Sequence, residues 1–296
     1  LIMKNSELSR RSFIGGTAAL SAATMMPNLA NAAKPNSKFN GVQIGANIAC
    51  FVKMSDGSAE LMIKYITQCG ISSVEMRTNE AEQYAKAYAK THPGADPMDG
   101  FKALRKLYDD AGVTINILRV SKLGWKKMSN KTIDYYFNAA KALGVTGIAR
   151  GLDINEAAAK RLGPIADKHE MMIGFHNHSK MKADAYDGGI LSSSKYLGIQ
   201  LDIGHFVAGT GQSPIPLIEK FPDRILTLHL KDRKKDLGPN MPWGQGDTDI
   251  AGVLQFMKKN KLTFSADIEL EYKIPEGSDA VKEVTKCLQF CKQALA

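Results

Sequence analysis

The segment Ile225-Leu226-Thr227-Leu228-His229-Leu230-Lys231 alternates apolar and polar side chains. Successive side chains of a β-strand point to opposite faces. A strand here would therefore present leucines to surrounding helices on one face, and Thr227, His229 and Lys231 on the other. In a parallel barrel, polar side chains on the inner face collect at the carboxyl ends of the strands, where active sites lie. The segment thus predicts a barrel strand that points polar groups into the mouth.

Similar segments recur along the chain and alternate with longer segments of helical period. The predicted strands are Gly41–Asn47, Ile71–Arg77, Val113–Val120, Val145–Gly151, Met171–His178, Gly198–Gly204, Ile225–Arg233 and Thr263–Glu271. Helices are predicted near residues 58–69, 98–111, 131–142, 154–169, 187–195, 214–220, 248–260 and 278–294. Eight such units predict an α/β fold, a closed (β/α)8 TIM barrel that forms one domain over residues 41–296. A doubly wound open sheet is the rival fold, but no glycine-rich dinucleotide-binding turn follows the first strand.

The composition excludes several classes of protein. A chain of 296 residues with 44% hydrophobic and 23% charged residues can bury a sizeable core, so it is neither disordered nor of low complexity. The net charge is +9, but the basic residues fall in short runs such as Lys126-Lys127. Such runs are typical of solvated helix ends, so we expect no nucleic-acid partner.

The N-terminal segment is similar to a twin-arginine export signal. Ser9-Arg10-Arg11-Ser12 precedes a mildly apolar stretch, Ile14 to Met26, and then Ala30-Asn31-Ala32, which fits a cleavage site. We expect a signal peptide over residues 1–32 and a short extension over residues 33–40. The apolar stretch is too short to span a bilayer, which predicts an exported, periplasmic protein without a stable membrane anchor.

Histidines and carboxylates collect at the ends of the later predicted strands. Four of the six histidines lie there, at positions 176, 178, 205 and 229. Buried carboxylates such as Asp202 and Glu269 require a cation or a dense hydrogen-bond network. Mixed imidazole and carboxylate ligands suit Mn²⁺, Zn²⁺, Co²⁺ or Mg²⁺. We therefore expect one divalent metal ion, with His176, Asp202, His229 and Glu269 as its ligands.

Other polar residues at the strand ends are candidates for proton transfer or substrate binding. The catalytic candidates are Glu269, His205 and Lys231, and the substrate-binding candidates are Glu75, His178, Arg119, Trp243 and Glu271. Trp243 lies in the Gly- and Pro-rich loop 236–249, which we interpret as a lid whose tryptophan stacks on a sugar. Simpler roles stay open: an ion pair for Glu75, a solvated rim for Glu271, and packing on the barrel for Trp243.

Four segments together resemble the xylose isomerase-like TIM-barrel family, which includes sugar isomerases, epimerases and apurinic endonucleases. They are Gly174-Phe175-His176-Asn177-His178, Leu201-Asp202-Ile203-Gly204-His205, Leu228-His229-Leu230-Lys231-Asp232 and Ile268-Glu269-Leu270-Glu271. The resemblance covers nearly the whole chain after the predicted signal. It implies metal ligands at Asp202, His229 and Glu269 and substrate contact for His205. The sequence departs from family epimerases at His176, where they typically use a glutamate as ligand and base.

These features predict an exported sugar isomerase or epimerase that removes a proton next to a carbonyl, with a metal stabilising the enediolate. A 3-keto-glycoside lyase or hydrolase, acting by elimination at the same metal site, is the first alternative. A non-catalytic periplasmic sugar-binding protein is the second. Endonuclease members use three zinc ions and further histidines, and only His92 and His169 remain here, so DNA cleavage is disfavoured. We expect a small-molecule carbohydrate as the partner; the sequence does not determine the oligomeric state.

Overall fold

Eight parallel strands close into a barrel in the computed structural model, which describes residues 34–151 and 155–296. They are β2 (Val42–Asn47), β3 (Ser73–Arg77), β4 (Thr114–Arg119), β5 (Gly147–Arg150), β6 (Met172–His176), β7 (Leu197–Asp202), β8 (Ile225–Leu230) and β9 (Ser265–Ile268). Each strand pairs with the next, and β2 pairs with β9, where Ile44 lies opposite Ala266. A short strand, β1 (Lys38–Phe39), pairs antiparallel with β2. The predicted single-domain (β/α)8 fold is confirmed, whereas the predicted export signal lies outside the described residues.

Helices surround the barrel. They are α1 (Ala59–Gln68), α2 (Thr78–Thr91), α3 (Asp99–Asp110), α4 (Asn130–Leu143), α5 (Glu156–His169), α6 (Gly189–Ser192), α7 (Ile203–Thr210), α8 (Ile215–Lys220), α9 (Ile250–Lys259) and α10 (Ala280–Ala294). Their apolar faces cover the strands, with Phe101, Phe137 and Val284 buried. Gly144 ends α4 in the left-handed conformation, at φ 69°, which a glycine adopts without steric cost. Among the described helices, none has the length and apolarity needed to cross a membrane.

Two helices differ from the sequence-based expectation. The segment of α2 is absent from the predicted helices because only Ala81 and Ala85 of it are buried, which leaves a weak apolar period. The start of α7 falls inside the predicted strand Gly198–Gly204, so that prediction was wrong by two residues. Asp202 ends the strand because its side-chain Oδ1 accepts a hydrogen bond from the backbone N–H of His205 at 2.7 Å and so begins the helix.

The alternation along β8 is interrupted at Leu226. The pairing of β7 with β8 shifts register there: Ile199 lies opposite Ile225, but Gln200 lies opposite Thr227. Leu226 consequently packs with Ile117 and Ala149 from β4 and β5. The prediction that Leu226 faces the helices together with Leu228 and Leu230 was therefore wrong. An extra residue in one strand reverses the side chain at that point, and the sequence does not reveal it.

The interior beneath the mouth is polar and closely filled. Thr227 Oγ1 lies 3.0 Å from Ser265 Oγ and donates a hydrogen bond to Asp267 Oδ2, also at 3.0 Å. Gly45 of β2 leaves room for Asp267, since a Cβ atom at Gly45 would lie 2.0 Å from Asp267 Oδ1. A side chain at position 45 is thus incompatible with the observed carboxyl position. This layer supports the charged side chains above it.

Candidate active site at the carboxyl end of the barrel

His229 connects two carboxylates from different strands. Its Nε2 lies 2.9 Å from Glu75 Oε2, and its Nδ1 lies 3.0 Å from Glu269 Oε2. Burial lowers the pKa of His229, but the carboxylates of Glu269 and Glu75 outweigh burial and raise that pKa well above its ordinary value. The imidazole is therefore positively charged and donates one N–H to each carboxylate.

Lys231 places a second buried cation next to His229. Its Nζ lies 2.9 Å from Asp202 Oδ2, 2.8 Å from Glu269 Oε2 and 2.7 Å from Glu271 Oε2. Its side chain is only 2% exposed, whereas that of Glu271 is 43% exposed. Burial lowers the pKa of Lys231, but Asp202, Glu269 and Glu271 raise it above its ordinary value. Lys231 is thus a charged ammonium that contacts both the buried carboxylates of Asp202 and Glu269 and the exposed carboxylate of Glu271 at the rim.

The two carboxylates on His229 stay ionised. Burial raises the pKa of Glu269, but His229 and Lys231 lower it well below its ordinary value. For Glu75, burial is likewise outweighed by His229 and Arg119, and the pKa is lowered. Arg119 Nη1 lies 3.4 Å from Glu75 Oε1. Both carboxylates therefore retain negative charge inside the barrel because cations lie within contact distance.

Two amide side chains outside the predicted site complete this network. Asn47 Nδ2 donates to Glu75 Oε1 at 3.1 Å and to Glu269 Oε1 at 3.2 Å. Gln200 Nε2 donates to Glu75 Oε2, and Arg119 Nη1 donates to Gln200 Oε1 at 3.4 Å. Asn47 is the last residue of the first predicted strand, and that position was the one sequence feature that could have marked it as a site residue. Its amide carries no charge that would have marked it as a site residue.

His205 lies on α7 between Arg233 and Lys231. Its Nδ1 is 2.7 Å from Arg233 Nη1, and its Nε2 is 3.3 Å from Lys231 Nζ. The same Nε2 is 3.7 Å from Asp202 Oδ2. Burial lowers the pKa of His205, so the ring is neutral at pH 7. Arg233 was not among the predicted site residues, although it ends the predicted strand Ile225–Arg233, because an arginine next to an acidic residue has many possible partners. In the structure the strand ends at Leu230, and Arg233 lies in the connection that follows.

His176 and His178 lie next to each other at the mouth of the barrel. His176 ends β6, is buried, and its Nδ1 has no hydrogen-bond partner. Its ring centroid is 5.1 Å from that of His229 and 4.9 Å from that of His178. Burial, and then the charge of His229, lower the pKa of His176 well below its ordinary value. His176 therefore offers a neutral imidazole, and the exposed His178 lies above it.

The loop predicted as a lid is held by hydrogen bonds. Asp232 accepts them from the backbone N–H groups of Gly244, Gly246 and Thr248 at 2.8, 2.9 and 3.2 Å. Trp243 is half-buried and packs edge-on against Phe290 of α10, with ring centroids 5.6 Å apart. The structure thus shows the packing contact of Trp243, and its stacking on a sugar stays a prediction.

The predicted metal ligands converge in part. Asp202, His229 and Glu269 each supply an atom within 4.8 Å of the other two, and His176 forms a second such group with Asp202 and His205. His176 Nδ1 and Asp202 Oδ2 both lack a hydrogen-bond partner, although Lys231 lies close to the latter. Two adjacent ligands with bonds of about 2.1 Å lie roughly 3.0 Å apart around an octahedral ion and roughly 3.4 Å apart around a tetrahedral one. The 3.0 Å between His229 Nδ1 and Glu269 Oε2 matches the octahedral spacing.

The environment of these atoms also fits a divalent cation. Nitrogen and carboxylate donors suit Mn²⁺, Zn²⁺, Co²⁺ or Mg²⁺. Glu75 accepts the Nε2–H of His229, and a carboxylate behind a metal-binding histidine commonly has this position. A cation bound to His229 Nδ1 would replace the proton on that nitrogen. The carboxylates around His229 already favour positive charge at this position. The cation would also displace Lys231 from the oxygens of Asp202 and Glu269.

The fold and the site define a class of protein. The chain forms a parallel barrel whose charged side chains meet at the carboxyl ends of the strands, the position of catalysis in TIM-barrel enzymes. A family model described as a xylose isomerase-like TIM barrel matches residues 157–291. This match supports the resemblance found in the sequence. Comparison with curated proteins gives no match.

Solved structures with the same fold include several from bacteria. A sugar phosphate isomerase/epimerase from Parabacteroides distasonis is 17% identical, with a TM-score of 0.61, over 88% of this chain and 96% of that one. A probable 3-DHS dehydratase from Bacillus anthracis is 12% identical, with a TM-score of 0.66, over 84% and 98%. The 3-keto-D-glucoside 4-epimerase of E. coli is 12% identical, with a TM-score of 0.61, over 85% and 99%. At these identities the similarity establishes the fold.

Proposed function

We propose that the protein is a divalent-metal-dependent enzyme that isomerises or epimerises a carbohydrate by removing a proton next to a carbonyl. The observation that carries the proposal is the convergence of Asp202, His229 and Glu269, with Glu75 behind His229. The family match and the isomerases and epimerases among the similar structures support the same reaction class.

Asp202, His229 and Glu269 would hold the metal, and His176 would be a fourth ligand from β6. A bound cation supplies Lewis acidity towards oxygens of the substrate and so favours loss of a neighbouring proton. Lys231 and His205 lie on the same side of the cluster, with Nζ and Nε2 3.3 Å apart. In this proposal their N–H groups hydrogen-bond to substrate hydroxyl or carbonyl oxygens and orient the sugar.

The proton acceptor in this proposal is the carboxylate of Glu269. It is ionised because His229 and Lys231 hold its pKa well below the ordinary value. The same two cations make it a weak base, so its assignment as the acceptor rests on its position in the cluster. The C–H bond breaks, its proton goes to Glu269, and the electron pair moves towards the carbonyl oxygen. Return of the proton from Glu269 to the neighbouring carbon, with the hydroxyl proton passing to the former carbonyl oxygen, gives an isomer. An epimer forms when a second donor delivers a different proton to the opposite face of the same carbon, while Glu269 keeps the proton that it removed.

Elimination is the second candidate reaction. After the same proton transfer, a group on the next carbon leaves with its electron pair and takes a proton from Lys231. Lys231 is assigned this role by position, because its Nζ lies 2.8 Å from Glu269 Oε2. The neighbouring carboxylates raise its pKa, which keeps the ammonium protonated and makes it a weak acid. The products distinguish the two reactions: elimination on a 3-keto-glycoside releases the second sugar or aglycone.

Solvent exchange tests the proposal. The protein is freed of metal with a chelator, reloaded with Mn²⁺, Zn²⁺, Co²⁺ or Mg²⁺, and incubated in D₂O with aldoses, ketoses and 3-keto-glycosides. We expect metal-dependent deuterium uptake at carbon, and its loss in Glu269→Gln, while Glu276→Gln on the surface behaves as the parent. Sugar binding without any exchange would instead favour a carbohydrate-binding protein, and cleavage of abasic DNA would favour a nuclease.

We further propose that the chain is exported by the twin-arginine route. This rests on the arginine pair and the apolar stretch of residues 1–32. Periplasmic accumulation of the full-length chain should be lost when Arg10 and Arg11 are both replaced by lysine, and retained when Lys4 is replaced by arginine. Equal periplasmic amounts of all three proteins would contradict the proposal.

A further inference from the structure

We propose that Arg233 is a positioning residue that fixes His205 as the tautomer with its proton on Nε2. The effect on catalysis rests on the proposed function, whereas the tautomer itself is a property of the protein. The inference comes from the donors that surround the ring of His205.

A guanidinium group donates hydrogen bonds and accepts none, because arginine stays protonated in proteins. Arg233 Nη1 lies 2.7 Å from His205 Nδ1, which is a short hydrogen-bond distance. An N–H on Nδ1 would point its hydrogen at that of the guanidinium. Nδ1 must therefore be the unprotonated nitrogen, and in a neutral imidazole the proton then lies on Nε2.

Lys231 competes for the opposite tautomer. Its ammonium also only donates, and it lies 3.3 Å from His205 Nε2. A neutral imidazole has one acceptor nitrogen, so it can accept from Arg233 or from Lys231 but not from both. Lys231 has three carboxylate oxygens within 2.7 to 2.9 Å and does not need the imidazole. The shorter contact therefore decides the tautomer in favour of Arg233.

The guanidinium cannot easily turn away from His205. Its Nε and Nη2 both donate to the carbonyl oxygen of Gly238, at 3.1 and 2.6 Å. The backbone of Arg233 is also fixed, since its N–H donates to Thr248 Oγ1 at 3.2 Å and its carbonyl accepts from Asp247 N–H at 2.8 Å. The loop after β8 thus determines where Nη1 points, and through it the proton on His205.

This tautomer defines what His205 does in the site. Nε2 faces Asp202 Oδ2 at 3.7 Å and the space beside Lys231. With its proton on Nε2, His205 donates a hydrogen bond to a substrate oxygen. It is not a metal ligand through either nitrogen, since Nδ1 faces Arg233. Of the two groups of possible ligands, the one with His229 and Glu269 is then the metal site.

NMR of protein labelled with ¹⁵N at histidine tests the inference. Long-range ¹H–¹⁵N correlations show which ring nitrogen carries the proton, and His205→Asn identifies the His205 signals. The chain of residues 1–296 is measured with the diamagnetic ion Mg²⁺. We expect a single Nε2–H tautomer for His205 in the parent. Arg233→Met keeps the length of the side chain but removes the donors, so the Nδ1–H tautomer should appear, with Nε2 accepting from Lys231.

Two further variants separate positioning from general disruption. Arg233→Lys restores one donor and should restore the Nε2–H tautomer, and Lys234→Met in the same loop should match the parent. In the exchange assay, Arg233→Met should lower kcat by up to roughly 100-fold, a larger factor than its effect on KM, because His205 no longer orients the sugar. An Nδ1–H tautomer in the parent, or an unchanged tautomer in Arg233→Met, would overturn the inference even if the enzyme is active. A shifted tautomer without activity in any variant would count against the proposed function only.

Discussion

His229 determines the electrostatics of the site at the scale of single residues. A buried imidazole is normally neutral, because burial disfavours its charged form. Here two carboxylates at 2.9 and 3.0 Å reverse that preference. The same field would favour any cation that replaces the Nδ1 proton. In the proposed metal-bound state the ion would replace that proton, and Glu75 on the other nitrogen would stabilise both states.

Replacing Glu75 tests this arrangement. Glu75→Gln keeps the shape of the side chain but removes the charge behind His229, so Nε2–H loses its carboxylate acceptor. We expect the affinity for Mn²⁺ or Zn²⁺ to fall roughly 10- to 100-fold, measured by isothermal titration calorimetry. Glu276→Gln, an exposed control, should bind as the parent does. Equal affinity in Glu75→Gln would show that Glu75 does not support the metal site.

Lys231 should have the opposite effect on metal binding. Its ammonium contacts Asp202 and Glu269, the same oxygens that a metal would take. Like charges about 4 Å apart repel by about 4 kcal/mol at an effective dielectric constant of 20. Lys231→Met should therefore bind Mn²⁺ at least roughly tenfold more tightly, while losing deuterium exchange. Lys234→Met is the matched control, and weaker binding by Lys231→Met would show that the lysine assists the metal.

The sequence identified charged residues of the site well and their partners poorly. Glu75, His229 and Glu269 were recognisable because alternation places strand-end residues on one face. The contact between Glu75 and His229 joins positions 154 residues apart, and a local pattern carries no information on such a pair. Asn47 and Arg233 were not identified for the same reason, since their roles depend on contacts with residues that are distant in the sequence.

At the scale of elements, the strands carry Glu75, Asp202 and His229, and the connections after the strands place His205 and Arg233 beside them. Asp202 is both the last residue of β7 and the cap of α7, so one side chain sets where the strand ends and where His205 lies. The loop after β8 then holds Arg233 against His205. Most regular elements were predictable from their periods, α2 and α7 excepted, but capping and loop contacts depend on tertiary neighbours.

Asp232 should control the stability of that loop. Asp232→Asn leaves one carbonyl oxygen to accept from three backbone N–H groups and turns an amide N–H₂ towards them. An unsatisfied buried donor costs roughly 1–3 kcal/mol. We expect the free energy of unfolding, measured with urea, to fall by that amount. We also expect faster backbone hydrogen exchange in residues 240–248. Asp236→Asn, in an exposed part of the loop, should change neither; a comparable loss there would point to a general effect of charge.

At the scale of the whole molecule, the barrel interior combines apolar, polar and charged clusters. Ile117, Ala149 and Leu226 form the apolar cluster, Thr227, Ser265 and Asp267 form the polar one, and the ionised site lies at the carboxyl end. The fold was predictable because eight similar units repeat the same signal, so an error in one strand or helix does not change the topology. The polar cluster brings a further buried carboxyl, that of Asp267, into the interior besides Glu75, Asp202 and Glu269, and no metal role is proposed for it.

Asp267 should make stability depend on pH. Burial, and then the charge of Glu75, raise the pKa of Asp267 from 3.8 to about 7. In the unfolded chain this carboxyl ionises near pH 4. Between about pH 4 and 7 the folded protein therefore holds a proton that the unfolded chain has released. The resulting stabilisation is complete below about pH 4 and is lost as pH rises through about 7.

Asp267→Asn removes this dependence because an amide does not ionise, and its carbonyl oxygen still accepts from Thr227. At pH 8 the parent carries an ionised carboxylate whose Oδ1 lacks a hydrogen-bond partner. We expect the variant to exceed the parent in free energy of unfolding at pH 8 by up to about 4 kcal/mol, and by less at pH 5. Urea unfolding with a chelator present measures this, with the exposed Asp223→Asn as control. A difference that does not grow with pH would mean that the charge of Asp267 is compensated inside the barrel.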